Sequence, residues 1–119
     1  MSVKLFDSEL KVMDLLWKAG DLSAKSIAES LNESVGWSKT TTYTVIKKCI
    51  DKGAVGRSEP NFICHALVSK QEVQEAETAE FIDRMYDGSP DMLIASLLGS
   101  KKLSAEEIAK LKKLVEDLK

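Results

Sequence analysis

The sequence predicts a mainly α-helical fold with one small β-hairpin, and three observations carry that prediction. Residues 7 to 50 hold three stretches in which apolar side chains recur every three or four residues, separated by turn-forming residues. Beyond Gly53 the pattern changes to β-forming residues, AVGRS and FICHALV, broken by a turn at Glu59, Pro60 and Asn61. From Lys70 the helical spacing returns and persists to Leu118. At 119 residues the chain is long enough for one compact domain, or for a small domain plus a short appended module, and two full domains are not expected.

The first helix is DSELKVMDLLWK, residues 7 to 18, in which Leu10, Val12, Met13, Leu16 and Trp17 form the apolar stripe while Glu9, Lys11, Asp14 and Lys18 fall elsewhere. Asp7 or Ser8 is expected to cap its start, and Gly20 follows its end. Ser23 opens a short second helix, AKSIAESL, with Ile27 and Leu31 one turn apart. Asn32 to Gly36 is then expected to reverse the chain. The third helix starts at Trp37 and Ser38. At 100° per residue Thr42, Val45, Ile46, Cys49 and Ile50 gather on one side, and Thr40, Thr41, Thr44, Lys47 and Lys48 on the other, with Tyr43 on the flank. Threonine is branched at Cβ and a poor helix former, so helix stability alone does not account for this run.

Helix, turn, helix followed by a two-stranded ribbon is a winged helix-turn-helix arrangement, expected over residues 1 to 69 with Arg57 close to the wing. Residues 70 to 119 are expected to form a three-helix module. Its first helix places Val73, Ala76, Ala79, Ile82 and Tyr86 at helical spacing and ends at Gly88. Ser89 and Pro90 fit an N-cap and first helical position for the next, which is apolar on nearly all sides. Ser104 and Glu107 form a capping-box pattern for the last helix. Its stripe of Ile108, Leu111, Leu114, Val115 and Leu118, with Leu93 and Leu97 of the preceding helix, has little core of its own to cover it. Pairing with a second copy would bury it, so these seven residues are the expected dimerisation surface.

Composition narrows the function. Apolar residues make up 44% and charged residues 30% of the chain, which argues for a folded soluble domain. No run is long enough to cross a bilayer, and MSVKLFDSELK lacks the apolar core of a signal peptide, so a cytoplasmic protein with no membrane partner is expected. The formal charge of −2 is unevenly spread. Residues 36 to 58 carry Lys39, Lys47, Lys48, Lys52 and Arg57 against Asp51 alone, a net of +4, whereas residues 70 to 100 carry a net of −5. The basic charge therefore coincides with the third helix and the ribbon.

That coincidence points to DNA. Lys47, Lys48 and Arg57 can neutralise phosphates and displace counterions, while the short Thr40, Thr41 and Thr44 can approach base edges or phosphates closely. The alternative is a winged-helix protein-interaction module without sequence-specific DNA binding, since the same fold also serves as a docking domain. Nothing in the sequence points to an enzyme or a cofactor: it holds no metal-ligand spacing, phosphate loop or nucleophile paired with a base. Cys64 and His65 are adjacent in a strand and are expected to point to opposite faces. Cys49 and Cys64 are expected as reduced core residues, and Trp17 and Trp37 as packing residues.

Several of these motifs together resemble the penicillinase-repressor family (the BlaI/MecI type), which also includes copper-responsive repressors. The resemblance runs from about Leu5 to Leu118. It is carried by Glu9-x-x-Val12-Met13-x-x-Leu16-Trp17, by Trp37-Ser38-x-x-Thr41 with Thr44, and by Leu103-Ser104-x-Glu106-Glu107-Ile108 with Leu111 and Leu114. It implies a homodimeric transcriptional repressor that binds a palindromic double-stranded DNA operator, with recognition-helix contacts from Ser38, Thr40, Thr41, Tyr43 and Thr44 and with Lys47 and Lys48 nearby. Lys48 stands where the family often has arginine, Cys49 where it has leucine, and Phe62-x-Cys64 where the wing commonly reads Tyr-x-Tyr. In antibiotic-responsive members a sensor-linked protease leads to cleavage of an Asn-Phe bond in the fifth helix, and Ser96-Leu97 occupies that position here. The cysteine cluster that ends the copper-responsive members has no counterpart in this sequence.

Overall fold

Glu9, rather than Asp7 or Ser8, closes the start of helix α1 (Asp7–Ala19): its Oε1 accepts the Phe6 backbone N–H at 2.8 Å. The computed structural model describes residues 3–100 and 102–118. The same carboxylate corrects a second expectation. Glu9 shares the face of Met13 and Leu16, one and two turns on, and is buried to 1% exposure instead of lying on the polar side. It is tolerated there because Lys52 Nζ lies 2.6 Å from Oε1 and also donates to the Lys4 carbonyl at 2.8 Å. A buried carboxylate without such partners would be strongly destabilising.

Two residues, Leu22–Ser23, form strand β1 before helix α2 (Ala24–Val35), where the Ser23 hydroxyl accepts the Ser26 N–H at 3.1 Å. Helix α2 continues through Asn32–Val35, the segment expected to turn. The reversal is confined to Gly36 and the two residues after it. Gly36 has φ of +74°, a conformation that favours glycine, and its N–H reaches the Asn32 carbonyl. Asn32 serves the turn from inside the helix, its side-chain amide donating to the Trp37 carbonyl at 2.9 Å.

Helix α3 (Lys39–Asp51) buries Thr42, Val45, Ile46 and Cys49 against α1 and α2, which leaves the predicted polar face outside. Strands β2 (Val55–Ser58) and β3 (Ile63–Ala66) form the ribbon, with Arg57 opposite Cys64 and Ser58 opposite Ile63. β1 pairs on the far side of β3, Leu22 opposite Cys64, so the sheet has three antiparallel strands in the order β1-β3-β2 rather than two. A two-residue strand is too short to show alternation, so only the pairing reveals it. Trp17 Nε1 donates to the Val68 carbonyl at 2.9 Å, fixing the exit of the ribbon to α1. Cys49 and Cys64 are buried free thiols; burial, with Glu9 nearby, pushes the Cys49 thiol up to about 12.

Helix α4 (Lys70–Tyr86) is followed by Asp87 and Gly88, both at positive φ. Helix α5 (Pro90–Gly99) begins after Ser89, whose hydroxyl donates to the Asp91 carboxylate and makes no backbone cap. Helix α6 (Ala105–Asp117) has the predicted capping box: Ser104 Oγ accepts the Glu107 N–H at 3.1 Å, and Glu107 Oε1 accepts the Ser104 N–H at 3.0 Å. The chain divides into two compact units, Met1–Glu77 and Thr78–Lys119, the division falling within α4. The first is a winged helix-turn-helix. In the second, no residue of α5 or α6 is buried. Among the described residues no helix is long and apolar enough to cross a membrane.

Candidate nucleic-acid interface

Ser38 sets the start of α3. Its hydroxyl oxygen accepts the Thr41 N–H at 3.1 Å and its proton goes to Thr41 Oγ1 at 3.0 Å, an N-cap arrangement that satisfies one orphan donor and fixes two hydroxyls. Thr44 donates to the Thr40 carbonyl at 2.9 Å. With that proton committed inward, Thr44 offers lone pairs and a methyl group outward, so in this rotamer it cannot donate to a phosphate. Thr41, which receives a proton from Ser38, keeps its own for an outside acceptor.

Lys39, Thr40, Tyr43, Thr44 and Lys47 line one shallow concavity on the exposed side of α3. Lys39 was absent from the expected contact residues and is brought into this surface by its place at the first helical position. The signal was present, because residues four and eight apart on a helix share a face, and Lys39, Tyr43 and Lys47 are so spaced. Lys48 is exposed but does not line the concavity; its charge acts on Glu9 and helps hold that carboxyl down. Lys52 is removed from the basic count altogether, since its ammonium is engaged by Glu9. The positive charge facing outward from α3 is thus narrower than the sequence total suggested.

Arg57 lies on β2 and turns toward α3. Its guanidinium carbon stands 3.6 Å from the Phe62 ring centroid, and its Nε donates to Glu59 Oε2 at 2.8 Å. The Arg57 guanidinium holds the Glu59 carboxyl below its usual range, helped by the Phe62 backbone N–H. Phe62 in turn meets Tyr43 edge to face, with centroids 5.8 Å apart. Tyr43 is therefore half-buried between helix and wing.

His65 lies on the opposite face of β3 from the buried Cys64, as strand alternation requires. Its Nδ1 is 2.8 Å from Asp21 Oδ2 and its Nε2 meets the Ser58 hydroxyl. This connectivity ties β2, β3 and the residue before β1 together at an open surface. Among the described residues no group of three or more His, Cys, Asp or Glu is placed to hold a metal ion.

In the second unit, Ile94, Leu98, Leu103, Ile108, Leu111 and Val115 line an apolar groove of about 430 Å³, edged by Lys112 and Glu116. Of the residues expected to pair two chains, Leu114, Val115 and Leu118 are exposed at 65%, 53% and 85%, Ile108 is less so, and Leu93, Leu97 and Leu111 are half-buried. Ser96 and Leu97 sit within α5, with the Ser96 hydroxyl accepting from Tyr86 Oη at 3.2 Å.

The family model described as penicillinase repressor matches residues 5–117. The chain belongs to the penicillinase-repressor family. It is 26% identical to the penicillinase repressor of Bacillus licheniformis over 118 residues, 98% of this chain and 92% of that one. It is also 26% identical to the methicillin resistance regulatory protein MecI of Staphylococcus aureus (strain N315) over 114 residues, 94% and 93% of the two chains. Among solved structures, the DNA-binding domain of the repressor BlaI superposes with a TM-score of 0.55 at 24% identity, covering 60% of this chain and 93% of that domain. The monomeric form of Bacillus licheniformis BlaI in complex with the blaP half-operator superposes at 0.51 and 24%, covering 58% and 87%. These likenesses establish the winged-helix fold of this family member.

Proposed function

We propose that the chain is a homodimeric transcriptional repressor that binds a palindromic DNA operator through α3 and the wing. The observation that carries this reading is the surface formed by Lys39, Thr40, Tyr43, Thr44 and Lys47 on a helix capped by Ser38, with Arg57 of the wing joined to it through Phe62. Such a surface combines cations for phosphates with short side chains for base edges. Membership of a repressor family supports it, as does the likeness to a relative described in complex with a half-operator. Ser38, Thr40, Thr41, Tyr43, Thr44, Lys47, Lys48 and Arg57 are the proposed contact residues, with Lys39 added.

The dimer is supported by the uncovered apolar side chains of α5 and α6. Two half-sites read by two copies would set the spacing that one short helix cannot. Domain limits of 1–69 and 70–119 fit this division of labour, with reading in the first part and pairing in the second. Cleavage at Ser96–Leu97 by a sensor-linked protease is the induction route that the antibiotic-responsive members suggest, with Ser-Leu here in place of their Asn-Phe bond. The bond lies inside α5, so cutting requires that helix to unwind locally.

The decisive experiment is a labelled-DNA shift with the promoter region upstream of the protein's own gene. Saturable binding that survives excess nonspecific DNA, and that weakens steeply with salt, is expected. Binding without sequence preference, or unchanged in a Thr44→Ala, Lys47→Ala double variant, would remove α3 as the reader and leave the protein-docking alternative.

A further inference from the structure

Four side chains in a row join the recognition helix to the wing. Lys39 Nζ stands 5.6 Å from the Tyr43 ring centroid, Tyr43 and Phe62 meet with their planes at 88°, and the Arg57 guanidinium carbon lies over the Phe62 ring, 3.6 Å from its centroid. The backbone of Phe62 is held as firmly as its ring. Its carbonyl accepts the Ala24 N–H at 2.9 Å, and its own N–H helps to hold the Glu59 carboxyl below its usual range. Phe62 has φ of +50°, a left-handed conformation that a bulky side chain rarely adopts. Such a conformation persists where surrounding contacts over-determine it, and these contacts are of that kind.

We propose that Phe62 is a positioning residue for DNA binding: by carrying Arg57 over its ring and packing edge to face with Tyr43, it sets the wing cation at a fixed place relative to α3. This rests on the DNA-binding reading above. A free arginine samples many rotamers, and meeting a phosphate costs it that freedom. A guanidinium already stacked on a ring gives up less, so the contact is stronger and falls in register with those of α3. Phe62 itself need touch no DNA. Glu59 holds the Nε edge of the guanidinium in the free protein, which leaves the outer edge for a phosphate oxygen.

The test is an operator titration by fluorescence anisotropy at several salt concentrations, using the full chain. Phe62→Leu, which keeps apolar bulk and removes the π face, is expected to fold and to bind about 2–5-fold more weakly. Its log–log salt slope should be shallower by about one contact. Phe62→Tyr, which keeps the ring, should restore both. In an Arg57→Ala background, Phe62→Leu should cost almost nothing further. Equal losses with and without Arg57, or an unchanged slope, would overturn the inference and reduce Phe62 to a packing residue. Failure of the wild-type chain to bind any operator specifically would instead overturn the DNA-binding reading on which it rests.

Discussion

Glu9 and Lys52, 43 residues apart in sequence, form an ion pair at 2.6 Å in which the carboxylate is buried and the Lys52 side chain is 28% exposed. The pair locks the start of α1 to the end of α3, and Lys52 also covers the Phe6 ring with its ammonium 4.1 Å from the centroid. Lys52→Ala leaves a buried carboxylate with one partner fewer. It should destabilise the protein by about 2–3 kcal/mol, somewhat less than for a fully buried pair because Lys52 is partly solvated. Urea denaturation measures this directly.

The same pair predicts a pH dependence. Burial by itself would raise the Glu9 carboxyl, but the hydrogen bonds from Lys52 and the Phe6 N–H and the Lys52 charge outweigh it, and the net direction is downward from 4.5. A carboxyl lowered on folding binds fewer protons in the native state than in the unfolded chain. Its stabilisation is therefore complete above the unfolded value and is lost as pH falls through the folded one. Denaturation midpoints measured between pH 7 and strong acid should show this acid loss in the wild type, and Glu9→Gln should flatten it.

The lysines near α3 should separate by salt dependence. Lys39→Gln and Lys47→Gln are each expected to weaken operator binding across all sequences and to reduce the log–log salt slope by about 1. Lys52→Gln should leave the slope unchanged, because Glu9 already holds its charge. A slope change in Lys52→Gln equal to that in Lys47→Gln would contradict this assignment.

Thr44 gives its hydroxyl proton to the Thr40 carbonyl, so its methyl and lone pairs face outward. Thr44→Val keeps the methyl and should hold operator affinity within about 2-fold, whereas Thr44→Ala should lose about 1 kcal/mol, the lower end for one base contact. Competition assays with single base-pair substitutions in the operator would locate the base concerned. A larger loss in the valine variant would place the lone pairs, rather than the methyl, against the DNA.

Leu114 is 65% exposed on α6, so Leu114→Glu should leave helicity intact. Counted in both copies, it should cost a dimer about 3–6 kcal/mol of apolar burial. Sedimentation is expected to show the wild type as a dimer and the variant as a monomer at micromolar concentration. Affinity for a full palindrome should fall steeply in the variant while affinity for a half-site holds.

The elements that could be read from the chain are those whose signals act within a few residues. The apolar stripe of α1, the Ser38 cap and the Ser104–Glu107 box each depend on neighbours three or four positions away. For Glu9 and for β1 the deciding partner is distant. Glu9 appeared polar because Lys52 is 43 residues on, and β1 was missed because its partner β3 lies about 40 residues later. The composition of residues 32 to 35 predicts a turn, yet they stay helical, and Gly36 directly after them supplies the stop.

The sequence by itself determined that the helices and the β-ribbon exist, the apolar stripes of α1 to α3 and the face that carries Thr40, Thr44 and Lys47. Periodicity and capping are local physics, and they require no knowledge of what lies opposite. Only the tertiary structure decided which cations remain available and how the wing is held. Lys52 is drawn inward by a carboxylate, Lys48 lies outside the concavity, Lys39 enters it, and Arg57 is carried by Phe62 against Tyr43. A charge or an aromatic ring acquires its role from the groups that surround it in space, and chain order does not specify that surrounding.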